Sequence, residues 1–528
     1  MAPWERNHSR HGRHATWRLL PTGWRARVGQ RLQIALVIVL AGAAPLAAGP
    51  ESLPPDHWAY EELEHFESRG LLVLDNTRPY SRLQVQQWVE SLREAGTESF
   101  TSTEIARLVR LEDEFGRGDS TLAARFDPPL ASLEDTGWRA SGDLALTSGA
   151  QVTDGGTDPA TSWGTAGFEV TVGHKSGFVY DTRYRTSVAE ESGNRTGENR
   201  ISRRERSWHG LTSDNDRAYL AFERGRLRLS LGRDYIAWGA RRGGELLVTE
   251  TASSFDAVQA RLRLGRFLLS SANALLASGS DRNYAAHRLE IAAGRARIGL
   301  QEAVIYNSPH FEPTYLFPVA FYYGNQFNER GDDNVLLGAD AKWASRWGVL
   351  EGELLVDDFI YDGDPAPQKL AWRVGGGRGL ALGGTDLDVR LGYMRIDRWT
   401  YTHRRPDVAY VGGEGDLLAG DPLLGNSLGP DADRWGLELQ WRPRLSTRLW
   451  LLGARTRRGE GNADMTAWQV GEPYALPFPS GRVATSWRAE AGGRLQLGRT
   501  LEFGAAGAAE RRAGGWDTSL RAEVRLDP

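Results

Sequence analysis

The chain of 528 residues contains no cysteine, three methionines and three lysines, which are Lys175, Lys342 and Lys369. Without cysteine the protein has neither disulfide bonds nor a thiolate for catalysis, although an oxidising compartment would permit disulfides. Beyond residue 49 the chain also lacks any apolar run close to the roughly 20 residues that a membrane-spanning helix needs. These absences exclude a disulfide scaffold, cysteine chemistry and helical membrane spans over residues 50–528.

Motifs of the common enzyme classes are missing as well. The sequence has no HExxH zinc motif and no GxxxxGK(S/T) phosphate-binding loop. Residues 375–379 lack the last glycine of a dinucleotide fingerprint, so we interpret this run as a turn or a bulge. The GxSxG match at residues 425–429 is followed by Pro430 in a long polar segment, whereas a nucleophile elbow requires a strand before it and a helix after it. We therefore predict that the protein is not an enzyme and has no catalytic residue.

The histidines beyond residue 49 are dispersed along the chain, without the close pairing that is typical of a zinc or iron site. This dispersion predicts no metal and no cofactor. The formal net charge is −4, and residues 1–48 hold seven arginines and one glutamate, so the rest of the chain is distinctly acidic. Nucleic acid is not an expected partner, because its binding depends on lysine and arginine neutralising phosphates.

The N-terminus has the order of regions of a secretory signal. Three arginines precede an apolar stretch over residues 32–40, and mostly small residues follow over residues 41–49; the arginines are Arg25, Arg27 and Arg31. The apolar stretch is shorter than a membrane span. We predict that residues 1–49 are a signal peptide, cleaved near Ala48 or Gly49.

From about Trp138 onward, every second residue tends to be apolar. In residues 435–442 the apolar positions are Trp435, Leu437, Leu439 and Trp441, with polar residues between them. Successive strand side chains alternate between two faces, so this pattern predicts strands with one apolar and one polar face. An exported chain of this kind, without a hydrophobic helix, is expected to form a transmembrane β-barrel with a polar lumen.

We predict an all-β antiparallel transmembrane barrel of roughly 16–18 strands over residues 131–528. Its long polar connections are candidate outward-facing loops, where binding tends to reside on a rigid scaffold. They cover residues 187–207, 306–333, 400–433 and 456–481.

Residues 50–130 are predicted to form a small helical segment. Apolar residues recur at helical spacing over residues 57–69, and Gly70 stands at the C-terminal cap position. Capping-box patterns open two further helices, at Ser81 with Gln84 and at Thr101 with Glu104. Such short helices must pack on each other or on something larger, which leaves two interpretations: a plug in the barrel lumen or a periplasmic element.

Residues 306–327 are the densest aromatic segment of the chain. Aromatic faces stack on sugar rings, which favours a carbohydrate site, but an aromatic girdle at the membrane interface is an equal alternative. Asp357 and Asp358 follow Glu351 and Glu353 in an acidic cluster. Adjacent strand residues point to opposite faces, so we expect either solvated acids at a strand end or a polar network in the lumen or rim.

The order of several motifs resembles the Wzi family of capsule-assembly proteins, which are outer-membrane barrels with a small helical part near the mature N-terminus. The residues that carry the resemblance are Gly232-Arg233-Asp234-Tyr235 with Trp238-Gly239, Glu302 with Ile305-Tyr306, residues 312–318, Asp333-Asn334, and Glu353-Leu354 with Asp357-Asp358-Phe359. The resemblance spans nearly the whole chain after the leader. The chain departs from many outer-membrane barrels at its end, Arg525-Leu526-Asp527-Pro528, which lacks a terminal aromatic residue.

The resemblance implies a non-enzymatic, lectin-like protein of the Gram-negative outer membrane that binds surface or capsular polysaccharide during capsule assembly or attachment. Its expected partners are this polysaccharide, outer-membrane lipid and the barrel-assembly machinery. Arginine suits carboxylated sugars through planar, bidentate contacts. The candidate polysaccharide-binding residues are Tyr306, Phe311, Tyr315, Tyr322, Tyr323, Arg233, Asp357 and Asp358.

Two alternatives remain open at this stage. Residues 56–60, 69–71 and 78–82 resemble an S-layer homology module, which implies a wall-bound helical segment and a porin that conducts small solutes. The other alternative is an outer-membrane lipid hydrolase, which needs a nucleophile and a base near the barrel wall. His287 with Ser270 or Ser271 is the candidate pair for such an enzyme.

Overall fold

The computed structural model describes residues 49–116, 131–135, 137–154, 160–189, 211–252, 254–277, 280–329, 332–358, 365–413, 421–463, 467–498 and 500–526. The predicted leader, up to residue 48, lies outside these described residues, as does most of the predicted loop over residues 187–207.

Antiparallel strands form almost all of the described structure. They are β1 (Thr77–Arg78), β2 (Ala131–Asp135), β3 (Trp138–Asp154), β4 (Ala160–His174), β5 (Phe178–Ala189), β6 (Leu211–Arg224), β7 (Leu227–Asp234), β8 (Ala237–Trp238), β9 (Phe255–Leu264), β10 (Phe267–Leu275), β11 (Arg282–Ala293), β12 (Ala296–Asn307), β13 (Asn334–Ser345), β14 (Gly348–Asp358), β15 (Lys369–Leu382), β16 (Thr385–Ile396), β17 (Ala432–Arg444), β18 (Thr447–Arg458), β19 (Ala484–Leu497), β20 (Leu501–Arg512) and β21 (Gly515–Leu526).

Within the described residues, β3–β7 and β9–β21 close into a single barrel of eighteen long strands, in which β21 pairs with β3. The short β2 pairs with the start of β3, and β1 and β8 form a separate two-stranded sheet. The predicted fold class, an all-β antiparallel barrel of roughly 16–18 strands with a small helical segment, is confirmed.

The two faces of the barrel wall differ in the way that the alternation predicts. On β17, Trp435 and Trp441 are exposed whereas Arg442 is buried. On β14, Leu350 and Leu354 are likewise exposed. An apolar exposed face with a polar buried face is the reverse of a soluble protein, and it identifies the exposed face as lipid-facing and the polar face as the lumen.

The strands are joined by short turns at one end of the barrel, the turn end, and mostly by longer segments at the other, the loop end; the two-residue turn between β20 and β21 is an exception at the loop end. The turns include Gly265-Arg266 and Gly383-Gly384. Long segments at the loop end include residues 235–254, 308–333, 397–431 and 459–483. In outer-membrane barrels, short turns are periplasmic and long loops are extracellular.

The helices are α1 (Ala59–Ser68), α2 (Arg82–Glu94), α3 (Ser102–Phe115), α4 (Pro313–Leu316) and α5 (Tyr322–Glu329), with a 3₁₀ turn at Pro406–Val408. The capping patterns form as expected: Ser81 accepts from the Gln84 backbone N–H, and Thr101 and Glu104 cap each other reciprocally. Gly70 follows α1 with φ of +75°, a conformation that L side chains rarely adopt. Throughout the described residues, we find no helix that is long and apolar enough to cross a membrane.

The interpretation of residues 375–379 as a turn or bulge is wrong, since these glycines lie inside β15. They are needed for close approach rather than for a turn. A Cβ on Gly379 would lie 2.7 Å from Ser68 Oγ and 2.9 Å from Arg69 Cγ, at the end of α1. Glycine at this position therefore lets α1 approach the lumen wall.

Candidate functional site

The N-terminal segment, residues 49–116, lies against lumen-facing side chains of the barrel. Its helix α1 presents acidic residues to basic residues on β16 and β17. Glu64 Oε2 lies 3.0 Å from Arg390 Nη2, and Glu62 Oε1 lies 2.9 Å from Arg442 Nη1. Because several such pairs join the two parts, the segment contacts the inner wall through complementary charge.

His65 is the centre of a charged cluster at this contact. Its Nδ1 lies 2.8 Å from Asp388 Oδ2 on β16, and its Nε2 lies 3.2 Å from Glu104 Oε1 on α3. Burial and the nearby Arg107 disfavour protonation of the ring, but the contacts with Asp388 and Glu104 outweigh them and raise the pKa of His65. Through these two contacts, His65 links α1 and α3 to the barrel wall.

Among the described residues, the side chains of His65, Glu104 and Asp386 come close enough together to hold a metal ion, with possible ligand atoms within 4.8 Å of one another. Guanidinium groups already contact both carboxylates. Arg69 Nε lies 2.6 Å from Glu104 Oε1, and Arg107 Nε lies 3.1 Å from Asp386 Oδ2. We therefore interpret this trio as part of a larger ion-pair cluster.

The N-terminal segment also pairs with a segment of the chain that enters the lumen from the loop end. Its strand β1 pairs with β8, which belongs to residues 235–254. Arg78 Nη2 donates to Glu245 Oε1 at 2.6 Å and to the Gly239 carbonyl at 3.0 Å. Backbone pairing and a buried ion pair thus connect material from the two ends of the barrel inside the lumen.

A second set of buried contacts fixes the start of β1 to the wall. The backbone N–H of Asn76 donates to Glu290 Oε2 at 3.0 Å, and its side chain donates to Asp340 Oδ1 at 2.7 Å. Arg288 Nη2 donates to the same Asp340 oxygen at 3.0 Å. Buried polar groups are stable only when they are paired in this way.

The described parts of residues 235–254 and 397–431 fold from the loop end into the lumen, and we call them the infolded segments. Their apolar side chains pack against lumen-facing apolar residues of the wall in one buried cluster. The cluster includes Trp238, Leu246, Leu247, Val248, Tyr401, Tyr410 and Leu424 from the infolded segments, and Tyr284, Ile305, Leu336 and Leu355 from the wall. The predicted outward-facing loop over residues 400–433 is therefore only partly right, because much of it turns inward.

Hydrogen bonds hold the infolded segments to each other and to the wall. The hydroxyl of Tyr401 donates to the Leu246 carbonyl at 2.6 Å, and that of Tyr410 donates to the Leu247 carbonyl at 2.9 Å. Asp357 on β14 accepts from the backbone N–H of Tyr401. Of the two interpretations of the acidic cluster, the lumen network applies to Asp357, which is buried.

The lumen wall is less covered on the side formed by β19, β20 and β21. Lumen-facing charged side chains on these strands are partly or largely exposed, in contrast to the buried Arg442 of β17; they are Arg488, Arg494, Glu502, Asp517 and Arg521. Ion pairs cross this part of the wall, as where Arg494 Nη2 on β19 lies 3.0 Å from Glu523 Oε1 on β21, across Gly504 of β20. This side of the lumen presents charges of both signs to water.

A charged surface at the loop end joins the segment after β12 to the infolded segment after β16. Arg404 donates to Asp332 through Nε at 2.8 Å and Nη2 at 2.7 Å, and its side chain is 69% exposed. Arg405 Nη2 donates to Asp407 Oδ2 at 2.5 Å, and Asn307 donates to the same carboxylate. The hydrogen bond from Arg404 holds the pKa of Asp332 below its usual range. We call Asp332, Arg404, Arg405 and Asp407 the loop-end ionic surface.

The predicted aromatic candidates lie together on the exterior of the barrel. Tyr306, Tyr315 and Tyr322 are buried, with ring centroids 4.7 Å and 5.3 Å apart in succession, whereas Phe311 and Tyr323 are partly exposed. They belong to residues 308–325 or to the lipid-facing face of β12 beneath them. The three buried rings have no free face for a sugar in this arrangement, and sugar binding by the group stays a prediction.

The other candidates lie elsewhere. Arg233 stands on the outer face of β7 at the loop end, in a bidentate contact with Asp256 at 2.7 and 2.9 Å. Asp357 is inside the lumen, and the side chain of Asp358 lies outside the part of the chain that the structure describes. The eight candidates therefore do not converge on one site.

The structure brings the candidate residues of the lipid-hydrolase alternative close together, but not in a catalytic arrangement. Ser271, His287 and Glu302 are directly opposite one another on β10, β11 and β12, on the exterior face. His287 Nε2 lies 3.3 Å from Glu302 Oε2, while its buried Nδ1 has no hydrogen-bond partner among the described residues. Ser270 is on the opposite, lumen-facing side of β10. A nucleophile and base should be joined by a hydrogen bond, and His287 Nδ1 does not provide one to Ser271.

Sequence reasoning missed the loop-end ionic surface. Its signal in the sequence is the basic run His403-Arg404-Arg405 within a long polar segment, with Asp332 far away along the chain. Only the fold brings Asp332 and Arg404 together.

No protein-family model and no curated protein matches the chain. Among solved structures, the chain is similar to Wzi from Escherichia coli, described as an outer membrane protein involved in group 1 capsule assembly and as a carbohydrate binding β-barrel. The match has 14% identity and a TM-score of 0.60, and it covers 92% of this chain and 99% of that chain. Because the identity is low, the likeness shows the fold alone, which is that of an outer-membrane barrel.

Two barrels from Pseudomonas aeruginosa are also similar at a lower level. The outer membrane protein OpdK has 13% identity and a TM-score of 0.45, over 75% of this chain and 100% of that chain. OprD has 11% identity and a TM-score of 0.42, over 78% of this chain and 99% of that chain.

Proposed function

We propose that this protein is a non-enzymatic outer-membrane barrel with a plugged lumen, which binds surface polysaccharide at its loop end and serves capsule assembly or attachment. On this proposal the N-terminal segment is the plug. Outer-membrane lipid surrounds the wall, and the barrel-assembly machinery inserts the exported chain.

The observation that carries the proposal is the join between β1 and β8. Residues from the turn end and residues from the loop end meet there through backbone pairing and through the buried Arg78–Glu245 pair. A pore that conducts solutes needs a continuous water path, whereas here both ends contribute a shared obstruction. A closed barrel with exposed surface at its loop end suits binding better than transport.

The loop-end ionic surface is our proposed polysaccharide contact. Arg404 is exposed and already orders a carboxylate, and planar guanidinium groups bind carboxylate pairwise. A carboxylated sugar could exchange with Asp332 or bridge Arg404 and Arg405. The resemblance to a carbohydrate-binding barrel in fold supports this choice of ligand class.

A porin is the second candidate, and one observation favours it. The wall formed by β19, β20 and β21 carries partly exposed charged residues that face the lumen, such as Arg488 and Arg494. A water-filled path along this side would conduct small ions. The two candidates therefore differ in whether that side is open from end to end.

Planar-bilayer conductance of the purified protein, combined with binding to purified acidic capsular polysaccharide, separates the two candidates. We expect little ion current from the unaltered protein and measurable polysaccharide binding that Arg404→Ala weakens. Arg512→Ala is the matched control, because Arg512 is also an exposed, ion-paired arginine at the loop end. A large steady conductance without polysaccharide binding would instead establish the porin.

A further inference from the structure

An acidic side chain stands on the lipid-facing side of the barrel wall. On β12, Ile298 and Leu300 are exposed to the exterior, and Glu302 continues the same face. Glu302 is nevertheless buried, because residues 308–325 fold back over it; we call these residues the exterior flap. Glu302 accepts the backbone N–H groups of Tyr322 at 2.8 Å and Tyr323 at 2.7 Å.

The position of Glu302 along its strand sets the depth of the flap. Glu302 is six residues from Ala296, where β12 begins at the turn end. Trp435 belongs to an aromatic row with Trp372 and Tyr393 on the exterior, and it is nine residues from the turn end of β17 at Arg444. Aromatic rows mark the edges of the apolar belt in membrane barrels. Glu302 is therefore closer to the turn end than this row and lies at the depth of the belt.

A carboxylate at this depth must be shielded from lipid, because a charged group in the hydrocarbon region is costly. His287 and the two backbone N–H groups satisfy the Glu302 carboxylate, and Tyr322 covers His287 with ring centroids 4.3 Å apart. The flap thus closes over a polar pair on the exterior wall. The flap is therefore in contact with the same surroundings as the barrel wall at this depth.

The outer surface of the flap is strongly apolar. Four of its large apolar side chains are well exposed: Leu316 is 44%, Phe317 61%, Val319 62% and Phe321 57% exposed. In water, a run of this kind would be an unusual apolar patch. Against the wall it continues the exposed apolar face of Ile298 and Leu300 toward the loop end.

We propose that the exterior flap inserts into the outer leaflet, where lipid acyl chains pack against Leu316, Phe317, Val319 and Phe321. The occupant is lipid because the flap is continuous with the lipid-facing belt and is anchored to it through Glu302. This contact goes beyond polysaccharide binding: it makes a loop of the barrel a membrane-embedded element. The flap also lies beside the loop-end ionic surface, since the hydroxyl of Tyr315 donates at 2.7 Å to Asp333, the residue next to Asp332.

The absence of cysteine allows a direct test by single-cysteine labelling. Phe317→Cys and Phe321→Cys are each labelled with bimane, and the protein is reconstituted in phosphatidylcholine vesicles. Quenching by lipids with a nitroxide on the acyl chain is compared with quenching by aqueous iodide. Leu300→Cys, 54% exposed on the wall, is the lipid-facing control, and Val470→Cys, 89% exposed at the loop end, is the water-facing control.

We expect both flap labels to follow Leu300→Cys, with at least severalfold stronger quenching by the lipid nitroxide than Val470→Cys shows and little quenching by iodide. Labels that follow Val470→Cys would overturn the proposal. Labels protected from both quenchers, with protection lost on dilution into excess lipid, would also overturn it by identifying a second copy of the chain as the occupant. Heat-dependent gel mobility verifies that each variant is a folded barrel before it is measured.

Discussion

His65 of the N-terminal segment lies 2.8 Å from Asp388 of the barrel wall, and both side chains are buried. This contact joins a separate helical element to a strand more than three hundred residues away in the chain. Further charged side chains surround this contact. They include the guanidinium groups of Arg69 and Arg107 and the carboxylates of Glu62, Glu104 and Asp386.

The contact predicts that the N-terminal segment loosens at alkaline pH. The pKa of His65 is raised in the folded protein, so its stabilising contribution is complete below about pH 6.5 and is lost as the pH rises through the raised value. Burial opposes ionisation of Glu104, but hydrogen bonds that include one from His65 lower its pKa to about 2, so it stays charged throughout. Limited proteolysis of the N-terminal segment should therefore be faster at pH 9 than at pH 6.

His65→Gln is the control for this pH dependence. It should make proteolysis of the segment fast at pH 6 and remove most of its change with pH. His57 cannot account for the effect, because burial lowers its pKa to about 3; at pH 6 the unfolded protein therefore binds the proton more readily, which makes His57 act in the opposite direction. Equal proteolysis of the unaltered protein at both pH values would contradict the role of His65.

Gly379 predicts a steric effect at the same contact. Gly379→Ala introduces a Cβ that would meet Ser68 Oγ at 2.7 Å and Arg69 Cγ at 2.9 Å, so α1 or its side chains must shift. Overpacking of this kind costs about 1–3 kcal/mol. Thermal unfolding in detergent should show a lower Tm for this variant.

Gly436→Ala is the matched control for Gly379→Ala. Gly436 is also a lumen-facing strand glycine, and a Cβ there meets no atom within 4 Å. Its substitution should leave the Tm unchanged or slightly raised. If the two variants behaved alike, the close approach of α1 to β15 would not be the reason for glycine at position 379.

The sequence predicts the barrel but not where its loops pack, because strand patterns are local and loop packing depends on distant residues. Strand alternation is local, so the outward Trp435 and the inward Arg442 are evident from their spacing alone. Helix caps such as Ser81 are also local. By contrast, Tyr401 and Tyr410 lie in short stretches of mixed polarity within a long polar segment, and nothing in their spacing indicates that they turn into the lumen.

The same limit applies to the candidate site. Residues 306–327 are recognisably aromatic, but whether such a segment lies on a sugar-binding surface or against the wall depends on Glu302, which anchors it from another element. The glycines of residues 375–379 fit a turn by composition, and their role becomes clear only from the helix that packs against Gly379. Pairings between distant segments, as between Arg404 and Asp332, have no local signature.

The Arg78–Glu245 pair predicts how the lumen is kept closed. Both side chains are buried, and Glu245→Gln leaves the guanidinium of Arg78 without its charge partner. Breaking a buried pair from one side costs about 3–5 kcal/mol, which should weaken the join between β1 and β8. Planar-bilayer recordings should then show a higher mean conductance or frequent opening events.

An exposed ion pair provides the comparison for Glu245→Gln. Glu510→Gln removes a carboxylate that Arg512 contacts at 3.0 Å, and the Arg512 side chain is well exposed. Exposed pairs contribute little, so this variant should conduct no more than the unaltered protein. Unchanged conductance in Glu245→Gln would mean that the join does not close the lumen.

Tyr315 and Arg404 predict opposite phenotypes and so separate structural from binding roles at the loop end. The hydroxyl of the buried Tyr315 donates to Asp333 Oδ2 at 2.7 Å, so Tyr315→Phe should lower stability by about 1 kcal/mol without changing polysaccharide affinity. Arg404 is exposed, so Arg404→Ala should change the Tm very little but weaken binding to an acidic polysaccharide severalfold. Tm and polysaccharide affinity are measured on both variants. A loss of affinity in Tyr315→Phe, with affinity kept in Arg404→Ala, would contradict binding at the loop-end ionic surface. It would assign the polysaccharide contact to the aromatic group, because the polysaccharide would then have to reach the buried rings directly or by inducing them to open.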